Sequence, residues 1–252
     1  MQVVDYEPAR SDQSATLLVA TEEGLRRESL QPQRKLAYTL GSSHCAGRIT
    51  DEGHVPCPRP ETPYCSTHTE TWICARCTGT CLKDEMDCYD PHAVYLAGFA
   101  PSTVKVGVTR EWRLETRLRE QGADVGAKIF SVENGRIARE IEADLAMQFT
   151  DAVRIRTKIA GLHQSMDPEV WTHAISAFDV LENFSFDYGI NLVDRPVVET
   201  IASGLIVGTK GRILLLDRVG TTYAVDLREL VGFELLPGST DRNIQTSFAT
   251  FD

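Results

Sequence analysis

All seven cysteines of this 252-residue chain lie between Cys45 and Cys88. Thiols crowded into so short a stretch either pair as disulfides or ligate a metal. The N-terminus lacks a basic start followed by an apolar leader, which makes a cytoplasmic location the expectation and favours metal. Cys74, Cys77, Cys81 and Cys88 form C-x2-C-x3-C-x6-C. The C-x2-C turn lets two thiolates reach one tetrahedral zinc, and two more sulfurs close the shell without leaving a position for water. Cys45, Cys57 and Cys65 remain, and His68 follows the last of them to give C-x11-C-x7-C-x2-H. His44 and His54 compete for the histidine position, but only His68 has the knuckle spacing. Eight ligands, four per ion, predict two zincs, both structural because closed shells hold no reactant. Buried unligated or redox thiols are the alternative. They would leave a Pro/Gly-rich segment with little apolar core and no source of stability.

A second group of reactive side chains follows the cysteines. Residues 92–99, HAVYLAGF, and 103–109, TVKVGVT, read as two strands joined by a Pro-containing turn. Ala93, Tyr95 and Ala97 share one face of the first, and Lys105, Gly107 and Thr109 share one face of the second, so a phenol and an ammonium point together if those faces pair. Arg110, Arg113 and Arg117, spaced by three and four, line one stripe of the first helix, with Leu114 and Leu118 on the adjacent stripe. Such a stripe can grip phosphates. It can equally be a solvated face paired with Glu111, Glu115 and Glu120. Glu142 borders an apolar stripe containing Ala138, Leu145 and Phe149, whereas Glu140 points away beside Arg136 and Asp144. A carboxylate at a core boundary needs a partner, either a hard cation such as Mg²⁺ or an arginine.

The elements that must position these residues are legible as patterns. Residues 1–40 contain strand-like pieces (QVVDY, ATLLVAT, KLAYTL), and residues 41–90 are a turn-rich Cys segment. Residues 91–160 read as β-β-α-β-α: the hairpin, a helix over EWRLETRLREQ stopped by Gly122, the strand AKIFSV, and a helix with Ile137, Ile141, Leu145 and Phe149 at helical spacing. Residues 161–190 form a helical connector, with Asp167-Pro168 opening a helix over 168–183 whose buried face is Trp171, Ile175, Phe178 and Leu181 or Glu182. Residues 191–252 read as a small all-β module that the N-terminal strands could complete. The class is α+β.

Net charge constrains the partners. The chain carries 26 basic and 36 acidic side chains, a balance of −10, the wrong sign for a protein that binds nucleic acid through its overall charge. Residues 90–160, however, hold 11 basic against 10 acidic side chains. A locally basic stretch is thus set in an acidic protein. No apolar run approaches the roughly 20 residues that cross a bilayer, so no membrane partner is expected.

The string HAVYLAGFAPSTVKVGVTREWRLETRLREQGA, followed by REIEADLAMQF, resembles the GIY-YIG nuclease superfamily, most closely branches whose second motif reads Lys-Val-Gly. The whole arrangement is also similar to an uncharacterised prokaryotic family of unknown function that has a Cys-rich N-terminal part followed by VYLA, KVG-T-R and R-QGA motifs. The superfamily resemblance covers roughly residues 92–150. It implies a GIY-YIG-like core in which Tyr95 matches the first tyrosine, Gly107 the second-motif glycine, Arg117 the helix arginine and Glu142 the metal-binding glutamate. Lys105 stands where the second tyrosine would be, Gln121 stands where a histidine is frequent, and no late asparagine can be placed. The resemblance implies a nucleic-acid-acting enzyme, DNA or RNA, that cleaves a phosphodiester. One Mg²⁺ would sit on Glu142, Arg117 would stabilise phosphoryl charge, and Tyr95, helped by Lys105, would position or deprotonate water. The open alternative is a non-catalytic module in which zinc, the arginines Arg110, Arg113 and Arg117, and the C-terminal β module hold nucleic acid or a protein partner.

Overall fold

The computed structural model describes residues 1–10, 13–69 and 89–238. The chain divides into two compact units, one made of Met1–Glu70 with Tyr188–Asp252 and the other of Thr71–Asp187. Among the described residues no helix is long and apolar enough to cross a membrane.

The first unit is built on a nine-stranded sheet. It uses β1 (Gln2–Glu7), β2 (Thr16–Thr21), β3 (Gly24–Ser29) and β4 (Lys35–Ser43), with a separate hairpin of β5 (Arg48–Thr50) and β6 (Gly53–Val55). From the far end of the chain come β11 (Val197–Val198), β12 (Ala202–Lys210), β13 (Ile213–Arg218), β14 (Thr221–Asp226), the short helix α5 (Leu227–Leu230) and β15 (Phe233–Pro237). The order is β11-β14-β13-β12-β4-β15-β1-β2-β3. β4 lies between β12 and β15, and β1 pairs with β15, so N-terminal strands complete the C-terminal sheet. The apolar run Ile213–Leu216 is buried at every position, as a continuous rather than alternating run requires. Leu17, Leu36, Ile206, Leu214, Leu230 and Leu235 contribute to one core. β3, GLRRES, carried no strand signal. It is an edge strand whose mostly charged and polar side chains suit an exposed border.

The second unit contains β7 (His92–Phe99), β8 (Thr103–Arg110), a 3-10 turn (Glu111–Arg113), α1 (Leu114–Gln121), β9 (Val125–Val132), α2 (Gly135–Leu145), α3 (Ile155–Ala160), α4 (Pro168–Ile175) and β10 (Glu182–Ser185). Its antiparallel sheet runs β10-β9-β7-β8. Central β7 is buried along its whole length. One face, with Val94, Leu96, Val106, Ala127 and Ile129, takes Ala138, Ile141 and Leu145 of α2 together with Trp171, Ile175 and Phe178. On the opposite face Gly126 lies under Leu118 of α1, where a β-carbon would come within 2.6 Å of the leucine side chain. The expected stops are present: Gly122 ends α1 in the left-handed region at φ +70, and Asp167 accepts hydrogen bonds from the N–H groups of Glu169 and Val170 ahead of Pro168.

Two expectations are corrected. The helix expected over 168–183 ends at Ile175, and Glu182 opens a strand. Trp171, Ile175 and Phe178 do face the core, but Leu181 is exposed because Glu182–Ser185 takes the open edge of β9, where the ladder satisfies backbone groups a longer helix would have kept. Ile137, expected on the apolar stripe of α2, is also exposed.

Candidate functional site

In the first unit, the chain leaving β4, the β5–β6 hairpin and the turn after Cys65 converge on a cluster of side chains that could hold a metal ion. The ligand atoms of Cys45, Cys57, Cys65 and His68 all lie within 4.8 Å of one another. Cys45 Sγ and Cys65 Sγ stand 3.4 and 3.3 Å from His68 Nδ1, and Cys57 Sγ stands 4.0 Å from Cys65 Sγ. A tetrahedral zinc with ordinary bond lengths sets sulfurs about 3.8 Å apart and sulfur and nitrogen about 3.6 Å apart. The four side chains therefore fit one zinc. Backbone N–H groups of Gly47 and Cys65 donate to Cys45 Sγ, as expected around a sulfur that carries negative charge. Burial pushes the Cys65 thiol up, but N–H groups of His68 and Thr67, with the Cys45 and His68 side chains, outweigh it and bring it down to about 6. The neighbouring Cys57 is raised: the Arg59 N–H pulls it down, but burial and the thiols of Cys45 and Cys65 prevail.

Both rival histidines serve as braces. His44 Nδ1 lies 3.0 Å from the Cys57 carbonyl, and His54 Nε2 lies 2.6 Å from the Ala46 carbonyl. Gly47, at φ +72, is required because a β-carbon there would come within 2.1 Å of the Val55 carbonyl oxygen. Cys74, Cys77, Cys81 and Cys88 lie outside the described residues.

The second unit gathers the other group. Tyr95 and Gly107 are cross-strand partners, as are Ala97 and Lys105, so the phenol and the ammonium do lie on one face. A β-carbon at Gly107 would come within 2.6 Å of the Tyr95 hydroxyl and 2.7 Å of Cζ, so the ring lies over the glycine. Tyr95 is buried, and its hydroxyl accepts a 2.8 Å hydrogen bond from Gln121 Nε2 and another from Arg117. Burial raises this phenol, against the opposing pull of Arg117 and Gln121. Lys105 donates to the Asp151 carbonyl at 2.8 Å. Burial first and the nearby Arg117 second bring its ammonium down to about 8, while Glu142 and Asp151 oppose the shift. On α2, Arg139 donates to Glu142 Oε2, supplying an arginine partner for the core-boundary carboxylate.

Arg117 and Glu142 thus act electrostatically on both Tyr95 and Lys105, which share one face of the hairpin. Arg139 and Asp151 join them, and Asp151 had no signal in the spacing. Arg139 could have been found as the i−3 neighbour of Glu142. Arg110, expected on the first helix, instead ends β8, and Arg113 lies in the 3-10 turn, so of the three only Arg117 stands on α1. These arginines are largely paired: Arg110 meets Asp90 at 3.4 Å, and Glu120 bridges Arg113 at 2.9 Å and Arg117 at 3.3 Å. Glu115 pairs with Arg119, and Glu111 with Lys128.

Residues 54–183 match the model of a family described as a protein of unknown function, DUF2797. The chain belongs to this family. The DUF2797 match takes in Cys57, Cys65 and His68 of the metal centre and the whole Tyr95–Glu142 cluster. No curated protein and no solved structure matches the chain.

Proposed function

We propose that this chain is a zinc-stabilised protein that acts on nucleic acid, with a phosphodiester held beside Lys105 and Arg117 in a GIY-YIG-like unit. The observation that supports this reading is the convergence of Tyr95, Lys105, Arg117 and Glu142 at one place. The Arg117 side chain is 46% exposed, so its guanidinium can turn an edge to a phosphoryl oxygen while another N–H stays on the phenol. Tyr95 is covered and orients Arg117. Proton acceptance from an attacking water falls to Lys105, whose value near 8 leaves some neutral amine at neutral pH. The resemblance implies a Mg²⁺ ion. Glu142 fits it, being a partly buried carboxylate in a cluster that needs only one or two such groups for a cation that keeps most of its waters. Such an ion would supply Lewis-acid stabilisation of phosphoryl charge.

A binding-only reading is favoured by one observation: Glu142, the carboxylate a catalytic cation would need, is already paired with Arg139. The test uses the full chain, labelled single- and double-stranded DNA and RNA, and Mg²⁺ or Mn²⁺. Glu142→Gln abolishes cleavage and leaves binding in EDTA unchanged or slightly tighter, whereas Glu140→Gln, at a side chain paired with Arg136 on the exposed side, alters neither cleavage nor binding. Binding without cleavage by wild type selects the binding-only reading. Failure to bind any of the four nucleic acids overturns the proposal.

A further inference from the structure

Trp112 sits in the turn that leads into α1 and is 72% exposed. Burying an indole face is strongly favourable, so a ring left in water beside cations is suited to a planar partner. The Arg113 guanidinium lies 5.9 Å from the ring centroid. Arg113 is joined through Glu120 to Arg117, and Arg117 reaches Tyr95 and Lys105. A line therefore runs from an exposed aromatic face, over two guanidiniums, to the proposed phosphate position. Trp112 and Arg117 are separated by roughly 8 Å along the helix axis, a spacing that one or two unstacked nucleotides can bridge.

We infer that Trp112 is a stacking platform for a base of single-stranded nucleic acid whose backbone runs over Arg113 and Arg117 toward Lys105. The inference rests on the nucleic-acid reading above and adds strandedness to it. A duplex hides its base faces and presents phosphates alone, and phosphate attraction is what a chain of net charge −10 supplies poorly. A single strand offers a π-face of any base, so stacking supplies affinity without sequence preference.

The test measures anisotropy of labelled dodecamers of uridine and of thymidine, and of a hairpin duplex of equal length, with the full chain in EDTA. Wild type should bind at least one single strand more tightly than the duplex. Trp112→Ala should weaken single-strand binding about tenfold, as expected for loss of one stacked base. Duplex binding should stay within about twofold, and Trp112→Phe should recover most of the loss, because a phenyl ring keeps a π-face. The uridine and thymidine arms separate RNA from DNA. Single-strand binding unchanged by Trp112→Ala, or a duplex preference, overturns this inference and leaves the nucleic-acid reading standing. No binding to any probe overturns both. Unchanged circular dichroism of the two variants, at a position that contributes little to the core, confirms that folding is not what the assay reads.

Discussion

Lys105 combines two demands that conflict in most lysines: a long aliphatic stem in a sheet and a charge near other cations. Burial and Arg117 bring it from 10.5 to about 8, so folding of the protonated form is penalised. Below about 8 both folded and unfolded chains hold the proton and the penalty is complete. Between about 8 and 10.5 the unfolded chain binds more protons, so this residue makes stability rise with pH, and above 10.5 the penalty is gone. The difference in unfolding free energy between Lys105→Met and wild type, from urea titrations at pH 7, 8, 9 and 10, should therefore move in favour of wild type above pH 8. A difference that stays flat from pH 8 to 10 would show an ordinary solvated ammonium. Tyr95 illustrates the limit of motif reasoning at this scale: the face it shares with Ala93 and Ala97 was legible, but its register opposite Gly107 and its burial beneath Gln121 and Arg117 came from the folded sheet and its packing.

The β7–β8 hairpin carries the cluster through its register. Tyr95 opposite Gly107 is a pairing in which the missing side chain makes room for the ring. Gly107→Ala should cost about 1–3 kcal/mol, the usual penalty for overpacking a core. Tyr95→Phe in the same chain should recover part of it, because the hydroxyl is the nearest atom. Equal losses in both backgrounds, measured by chemical denaturation, would place the strain elsewhere. The segment 168–183 shows why element boundaries escape sequence reasoning. Trp171, Ile175 and Phe178 have one helical periodicity, yet the chain changes state within it because the open edge of β9 lies nearby. Hydrogen-bond vacancies on a distant strand leave no mark on the local pattern.

Across the molecule, the zinc expectation is the one with the broadest thermodynamic consequence. The three cysteines of the Cys45–Cys57–Cys65–His68 set are buried, His68 is half-buried, and the four together could close a tetrahedral shell, so a metal held there would contribute directly to folding. Elemental analysis of the purified full chain should return two zincs, and Cys65→Ser should leave one while lowering the melting temperature. Two zincs retained in that variant would remove the described centre from the count. A wild-type value of one would assign the metal to a single cysteine set.

The sequence alone determined the chemistry available and the local rules. It singled out His68 by its C-x2-H spacing, the hairpin by two strand-like runs around a Pro-containing turn, the end of α1 by Gly122 and the start of α4 by Asp167-Pro168. Each depends on neighbours within a few positions, where backbone geometry and capping act. Tertiary structure decided what long-range closure controls. It inserted β4 between β12 and β15 and made the unmarked GLRRES segment an edge strand. It gave His44 and His54 backbone carbonyls to brace, which left His68 as the ring nitrogen set among the sulfurs. It also paired Glu142 with Arg139 and shared Glu120 between two arginines. Such pairings depend on which side chains meet after the sheet has folded, and a spacing rule cannot distinguish an arginine that faces a carboxylate from one that faces water.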